Sequence, residues 1–244
     1  RDNYPKSAVG QAGYHQADTA CPIGAGTWEA AYWSAQTAVK GADMLAAGER
    51  AAYALCRPPG HHAFGDLAGG FCFLNNAGIA AERLRTGGLR AAILDVDVHH
   101  GNGTQGIFYD RDDVLTVSIH ADPARFYPFF WGHADERGTG RGAGYNLNLP
   151  LARGTGDDTY LKTLDIALER VANFGADVVV VALGLDAYEG DPFQGLAITT
   201  PGLGRIGAAI AGLGLPTLFV QEGGYLCKEL GQNLTSVLTG FEGA

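Results

Sequence analysis

The sequence predicts an α/β domain in which helices flank a parallel sheet, and three observations lead there. Short apolar runs of strand length recur along the chain. Helical patterns fill most of the intervals between them. Polar motifs rich in His, Asp and Gly follow four of the runs. Strands buried on both faces read as continuous apolar runs. Their alternation with helices, uninterrupted by a linker or repeat, argues one α/β domain over 1–244.

Taken in order, Thr27–Ala47 is Ala-rich and opens at Thr27 ahead of Glu29, which predicts a helix. Ala51–Cys56 reads as the first strand, and Asn76–Arg85 as the next helix. Ala91–Val96 and Val114–Ile119 are two further strands. Residues 120–156 are Gly- and aromatic-rich with weak periodicity. They are expected to form a long functional loop and then a short edge strand near Tyr145–Leu149. Asp157–Asn173 carries Leu161, Leu164, Leu168 and Val171 on one face, with Asp157 and Asp158 at its positive end. Val178–Leu183 is the clearest strand, being continuous and β-branched. Pro201 and Gly202 open another helix, Pro216–Val220 is a strand, and Leu226–Leu238 is the last helix.

Composition narrows the partners. A chain of 244 residues, 46% hydrophobic and 18% charged, suffices for one sizeable core. A net charge of −9 leaves no basic face for nucleic acid or an anionic membrane. Cys21, Cys56, Cys72 and Cys227 form no CxxC or framework spacing. Cys56 and Cys72 read as small buried residues, and the chain as reduced and cytoplasmic. No apolar run is long enough to span a bilayer, and no signal peptide is visible. Asn102-Gly103-Thr104 and Asn233-Leu234-Thr235 match glycosylation sequons, coincidences in such a compartment.

Chemistry concentrates at strand ends. Arg57-Pro58-Pro59-Gly60-His61-His62 follows one strand and Asp95–Gly103 ends the next. Gly184–Pro192 follows the Val-rich strand and Gln221–Tyr225 follows the last. Ligands of open parallel sheets bind at the carboxyl ends of strands, so all four motifs are expected on one rim. Seven His would give roughly 0.2 adjacent pairs by chance; two pairs, His61-His62 and His99-His100, stand at these ends. Ionisable groups are costly beside a core unless paired. Asp97 and His99 are two apart, which on a strand points them to one side, as two ligands of one metal require. Two Asp and one His make an open, three-ligand site of the catalytic kind. Carboxylate-rich ligation also suits Mn2+ or Fe2+, so the ligands alone do not fix the ion. A divalent ion supplies activated water at neutral pH, a neighbouring His manages its proton, and Tyr225, presented by Glu222-Gly223-Gly224, is the candidate oxyanion donor.

These motifs resemble the histone deacetylase-like superfamily, most closely its bacterial acetylpolyamine amidohydrolases and class II-type deacetylases. The similar stretches are Arg57–His62, Gly69–Asn76, Asp95–Gly103, Ser118–His120, Leu183–Asp186, Gly190–Pro192 and Glu222–Tyr225. The resemblance implies an arginase/deacetylase-type fold and a Zn2+-dependent deacetylase that hydrolyses the acetamide of acetylated polyamines or of ε-acetyl-lysine. It implies Asp97, His99 and Asp186 as Zn2+ ligands. His62 is implied as general base and acid, oriented by Asn102, and His61 as its electrostatic partner on Asp95. Tyr225 is implied to polarise the carbonyl. Phe71 and Tyr127 resemble the aromatic walls of an acyl-lysine tunnel, with Gly70 and Gly224 beside the substrate. A structural K+ is implied at Asp95, Asp97, His99, Ser118 and Ile119. A homo-oligomer is a further expectation.

Two departures bear on this. Family members carry further residues before the point matching Arg1, so the N-terminal part of the family domain, with its first strand and a rim loop, is expected to be missing from 1–244. Polyamine-preferring members carry an acidic residue near Val9-Gly10-Gln11, where this chain has apolar Val9; Thr27-Trp28-Glu29-Ala30-Ala31 nevertheless resembles their branch. Two alternatives stay open: an arginase-type amidinohydrolase with two Mn2+, for which Val96, Val98 and Gly101 leave few ligands, and a non-catalytic acyl-lysine binding protein. Gly202-Leu203-Gly204-Arg205-Ile206-Gly207 matches GxGxxG but follows no strand, so the dinucleotide context fails. Glu189 and Asp191 read as loop solvation or capping.

Overall fold

A computed structural model describes residues 3–244. Six strands form one parallel sheet: β1 Ala51–Ala54, β2 Ala91–Asp95, β3 Val114–Ala121, β4 Asn146–Leu151, β5 Val178–Leu183 and β6 Thr217–Gln221. Their spatial order is β1-β6-β5-β2-β3-β4. The five runs and the edge strand expected from sequence are all strands, and the edge strand after the long loop is β4.

Seven helices flank the sheet among the described residues: α1 Ala8–Tyr14, α2 Thr27–Ala46, α3 Asn76–Thr86, α4 Asn102–Phe108, α5 Asp157–Phe174, α6 Thr200–Ala211 and α7 Leu230–Glu242. Strand side chains alternate between two cores. Ala92, Leu94, Val179 and Val181 pack with Leu164 and Val171 of α5, Ile206 of α6 and Val237 and Phe241 of α7. Ala91, Ile93, Val178 and Val180 face the opposite way, onto Ala38 and Leu45 of α2 and Ala81 and Leu84 of α3. This double burial is why the runs are apolar at every position rather than every second one.

Two expectations are corrected and two helices are added. α7 begins at Leu230, not Leu226, and Leu226 is 93% exposed in the turn before it. α1 and α4 were not anticipated; each has seven residues and two glycines, a poor intrinsic helix former. Finally, β2 ends at Asp95, so Asp97 and His99 stand in a bend beyond the strand and strand alternation does not bring them together.

The GxGxxG stretch has a packing role. A Cβ at Gly207 would strike the Val237 carbonyl, and one at Gly204 would come within 2.8 Å of Ser236 Oγ, so these glycines let α6 and α7 lie close. Both sequon asparagines, Asn102 and Asn233, are buried. All four cysteines are unpaired, with Cys56 and Cys72 buried as expected. No helix among the described residues is long and apolar enough to cross a membrane.

Candidate metal centre

The chain order sets the place. After β2 the connections run outward through β3 to β4, and then the chain returns to lay β5 on the other side of β2 and β6 beyond it. Loops leaving the carboxyl ends of β2 and β5 therefore part in opposite directions and open a crevice between them. Asp97 and His99 leave β2 there, and Asp186 leaves β5.

One group of His, Cys, Asp and Glu side chains is arranged to hold a metal ion among the described residues, and it is Asp97, His99 and Asp186, whose donor atoms lie within 4.8 Å of one another. His99 Nδ1 is 3.1 Å from Asp97 Oδ1 and 3.2 Å from Asp186 Oδ2. Backbone amides hold the remaining carboxylate oxygens: Gly223 N–H donates to Asp97 Oδ2 at 2.8 Å and Val98 N–H to Asp186 Oδ1 at 3.0 Å. Glycine is required at 223, because a Cβ there would collide with Asp186 Oδ2 and come 2.6 Å from Asp97 Oδ2. Two carboxylates and an imidazole, all buried, fit a divalent cation with an open position. Their charges say the same. Burial disfavours the imidazolium of His99, but Asp186 and Asp97 outweigh burial and raise it to about 9. Burial, then the neighbouring Asp97, lifts Asp186 to about 6. Two adjacent buried carboxylates that favour charge on the imidazole between them make an electronegative pocket, a setting that suits a divalent cation.

The His61-His62 pair lies beside this centre, in the turn after β1. His62 Nδ1 is 2.7 Å from Asn102 Oδ1, and His61 Nδ1 is 2.9 Å from Asp95 Oδ2. The imidazole rings are 4.0 Å apart between centroids. Burial opposes charge on both, yet Asp95, Asp97 and Glu222 raise His61 well above an ordinary imidazole. Burial, with His61 and His99 adjacent, holds His62 well below one. The surroundings thus favour charge on His61 and oppose it on His62. His100, the other half of the second pair, turns away: its Nε2 is 3.2 Å from Asn148 Oδ1 and its ring sits 4.6 Å from that of His120.

A cavity of about 430 Å³ leads down to these groups, lined by His62, Gly70, Phe71, His99, Tyr127 and Tyr225 among others. A groove of about 560 Å³ beside Gly204 and Gly240 is larger but has no titratable group in its lining. Tyr225 packs edge-on against Phe193 at 4.6 Å, and Asp191 Oδ2 accepts its backbone N–H at 3.1 Å. Asp191 is buried and caps the turn, while Glu189 is exposed. Gly224 adopts φ +130°, a conformation L side chains rarely take. Ser118 pairs in register with Asp95 across β2 and β3, and its hydroxyl is 2.8 Å from His120 Nδ1; Ile119 follows it, fully buried.

Several residues around the site have roles that the sequence motifs do not give. Glu222 Oε2 accepts the N–H groups of Gly60 and His61 at 2.6 and 3.0 Å, fixing the turn that carries both imidazoles. A carboxyl directly after an apolar strand is the signal available in the sequence, and in the structure burial lifts it to about 7. Phe126 stacks on His99 at 4.9 Å, and the Arg153 guanidinium lies 5.5 Å over Phe126 while donating to the Gln194 carbonyl.

Comparison with known proteins shows what the chain is similar to. A model of the histone deacetylase domain matches residues 2–241. Acetylpolyamine amidohydrolase 1 of Pseudomonas aeruginosa is 54% identical over 241 residues, covering 98% of this chain and 70% of that protein. The histone deacetylase-like amidohydrolase of the same organism is 40% identical over 89% of this chain and 59% of its own length. The crystal structure of acetylpolyamine aminohydrolase from Burkholderia pseudomallei superposes with a TM-score of 0.96 at 52% identity, over 98% of this chain and 70% of that one.

Proposed function

The chain belongs to the histone deacetylase domain family, and from that premise we propose that it is a Zn2+-dependent amidohydrolase removing the acetyl group of acetylated polyamines or of ε-acetyl-lysine. The observation that carries the reading is the meeting of Asp97, His99 and Asp186 beside His62 at the floor of an aromatic-lined cavity. Those three residues would hold a divalent cation, and the chemistry it would supply there is activation of water and polarisation of the acetamide carbonyl.

The protein's own groups do the rest. The amide oxygen of Asn102 only accepts, so His62 keeps its proton on Nδ1 and presents a bare Nε2 to the attacking water. His62 Nε2 takes the water's proton and returns it to the leaving amine. Cationic His61, braced by Asp95, keeps His62 unprotonated until that moment. The Tyr225 hydroxyl donates to the oxygen that becomes negative. Phe71 and Tyr127 enclose the aliphatic stem, which needs apolar area and no hydrogen bonds. Gly70 and Gly224 give the substrate room at the backbone. A K+ at Asp95, Asp97, His99, Ser118 and Ile119 is part of the same proposal, as is a cytoplasmic setting in keeping with four unpaired thiols.

The test is a panel of acetylputrescine, acetylspermidine and acetyl-lysine peptides, run with chelator and then with added Zn2+. Turnover lost to chelator and restored by Zn2+ is expected. Chelator-resistant turnover would remove the metal from the reaction, and binding without turnover would favour an acyl-lysine binding protein.

A further inference from the structure

We propose that Asp18 is the positioning residue that sets the width of the substrate tunnel, by tying its two walls to a single carboxylate oxygen. The inference rests on the deacetylase reading and adds a group that takes no part in the steps above. Asp18 Oδ2 accepts the Gly70 N–H at 2.9 Å and the Tyr127 hydroxyl at 2.6 Å, from partners 52 and 109 positions away. Its Oδ1 accepts the Ala20 N–H at 2.7 Å.

Both walls need such a tie. Phe71 has φ +68°, in the left-handed region that a bulky side chain occupies only where its surroundings hold it there. Gly70, beside it, also has positive φ, and a Cβ there would strike the His62 imidazole and sit 3.0 Å from Tyr127 Cε1. The Tyr127 ring stands edge-on to His62 at 4.9 Å and to His99 at 6.1 Å. Any swing of Tyr127 or of the Gly70-Phe71 turn therefore opens the channel directly over the base and a candidate ligand. Three hydrogen bonds on its two oxygens assign Asp18 to these walls; the rival role, counter-charge of a substrate amine, would respond to the charge of the substrate.

Substrate charge separates the two roles. The Zn2+-loaded protein is assayed with acetylputrescine, whose tail is cationic, and with a doubly capped acetyl-lysine, which carries no charge. Asp18→Ala is expected to raise KM about tenfold on both, as loss of a charge-assisted hydrogen bond does, with kcat changed by less than about threefold. Asp18→Asn keeps an acceptor oxygen and falls between. In a Tyr127→Phe background, where the tie is already broken, Asp18→Ala should add less than about threefold. A KM effect confined to acetylputrescine, an unchanged KM, or full additivity of the two substitutions would overturn the proposal. Calorimetry with a methyl-ketone analogue of the capped substrate gives a reading independent of turnover. Equal affinity for wild type and Asp18→Ala would overturn the tie, as would no binding to wild type. Weaker binding to the variant, with no turnover by wild type, would leave the tie standing and sink the deacetylase reading. Should Asp18→Ala fail to fold, Asp18→Asn and Tyr127→Phe carry the same comparison.

Discussion

Replacing Gly223 by alanine tests the metal centre through its packing. The added Cβ meets Asp97 Oδ2 at 2.6 Å, whereas ordinary contact begins at 3.4 Å, and it overlaps Asp186 Oδ2 more severely still. Two of the three proposed ligands must therefore retreat from Gly223 by about 0.8 Å or more, the shortfall between those two distances. Metal sites tolerate about 0.2 Å in ligand distance. Asp97 is also anchored by the very amide that carries the new methyl. Loss of such anchoring alone costs about 10–100-fold in metal affinity, and displacement of two ligands is expected to reach or exceed the upper figure. Overpacking should also lower stability by about 1–3 kcal/mol, a fall in Tm of roughly 2–12 °C for a domain of this size. Gly231→Ala is the control: a Cβ there meets nothing within 4 Å, inside helix α7, so it should stabilise by about 0.4–1 kcal/mol. Zn2+ content after dialysis against a graded chelator, with thermal melts in parallel, measures both effects. A Gly223→Ala protein that holds Zn2+ as tightly as wild type would refute the reasoning, because it would mean the two carboxylates are not fixed where the cation is placed.

Three further outcomes are expected. Asp186→Ala should lose stoichiometric Zn2+ while keeping its fold, checked by metal analysis and circular dichroism; full metal content would remove Asp186 from the ligand set. Tyr225→Phe should keep its metal and lose about 10²–10³ in kcat, the usual effect of deleting one oxyanion donor; wild-type turnover would remove the hydroxyl from the reaction. Away from the site, Arg85 at 2.5 Å, together with Arg111 at 2.9 Å, holds Glu82 at about 2, below its ordinary 4.5. A depressed carboxyl stabilises the fold above the ordinary value, and that contribution drains away as pH falls from 4.5 toward 2. The group is 40% exposed, so the effect at neutral pH is below about 1 kcal/mol. Denaturant melts of wild type and Glu82→Gln should differ at pH 7, the gap narrowing below pH 4.5 and closing only near pH 2; a gap that widened in acid would contradict the sign.

Some of the fold was legible because its cause is local. Val178–Leu183 is apolar at every position since both faces of β5 are covered, and a continuous β-branched run has few other readings. Helix α5 declared itself through Leu161, Leu164, Leu168 and Val171. By contrast, α4 is held by its surroundings: a Cβ at Gly103 would lie 2.5 Å from the His62 carbonyl carbon and the Ala63 oxygen, so close packing and not propensity selects its residues. Nothing within a seven-residue window records that.

Taken by itself, the sequence determined which chemical groups gather at the carboxyl ends of parallel strands, because strand and helix patterns arise from neighbours in the chain and place whole motifs on one rim. Tertiary structure alone decided how those groups meet. Asp97 and His99 converge through a bend and not through strand alternation, His100 turns away from His99, and Glu222, Asp191 and Asp18 reach across long sequence separations to hold the turns that carry the site. Such contacts depend on distances between segments that fold independently in sequence and become adjacent only when the sheet assembles, and no local pattern encodes them.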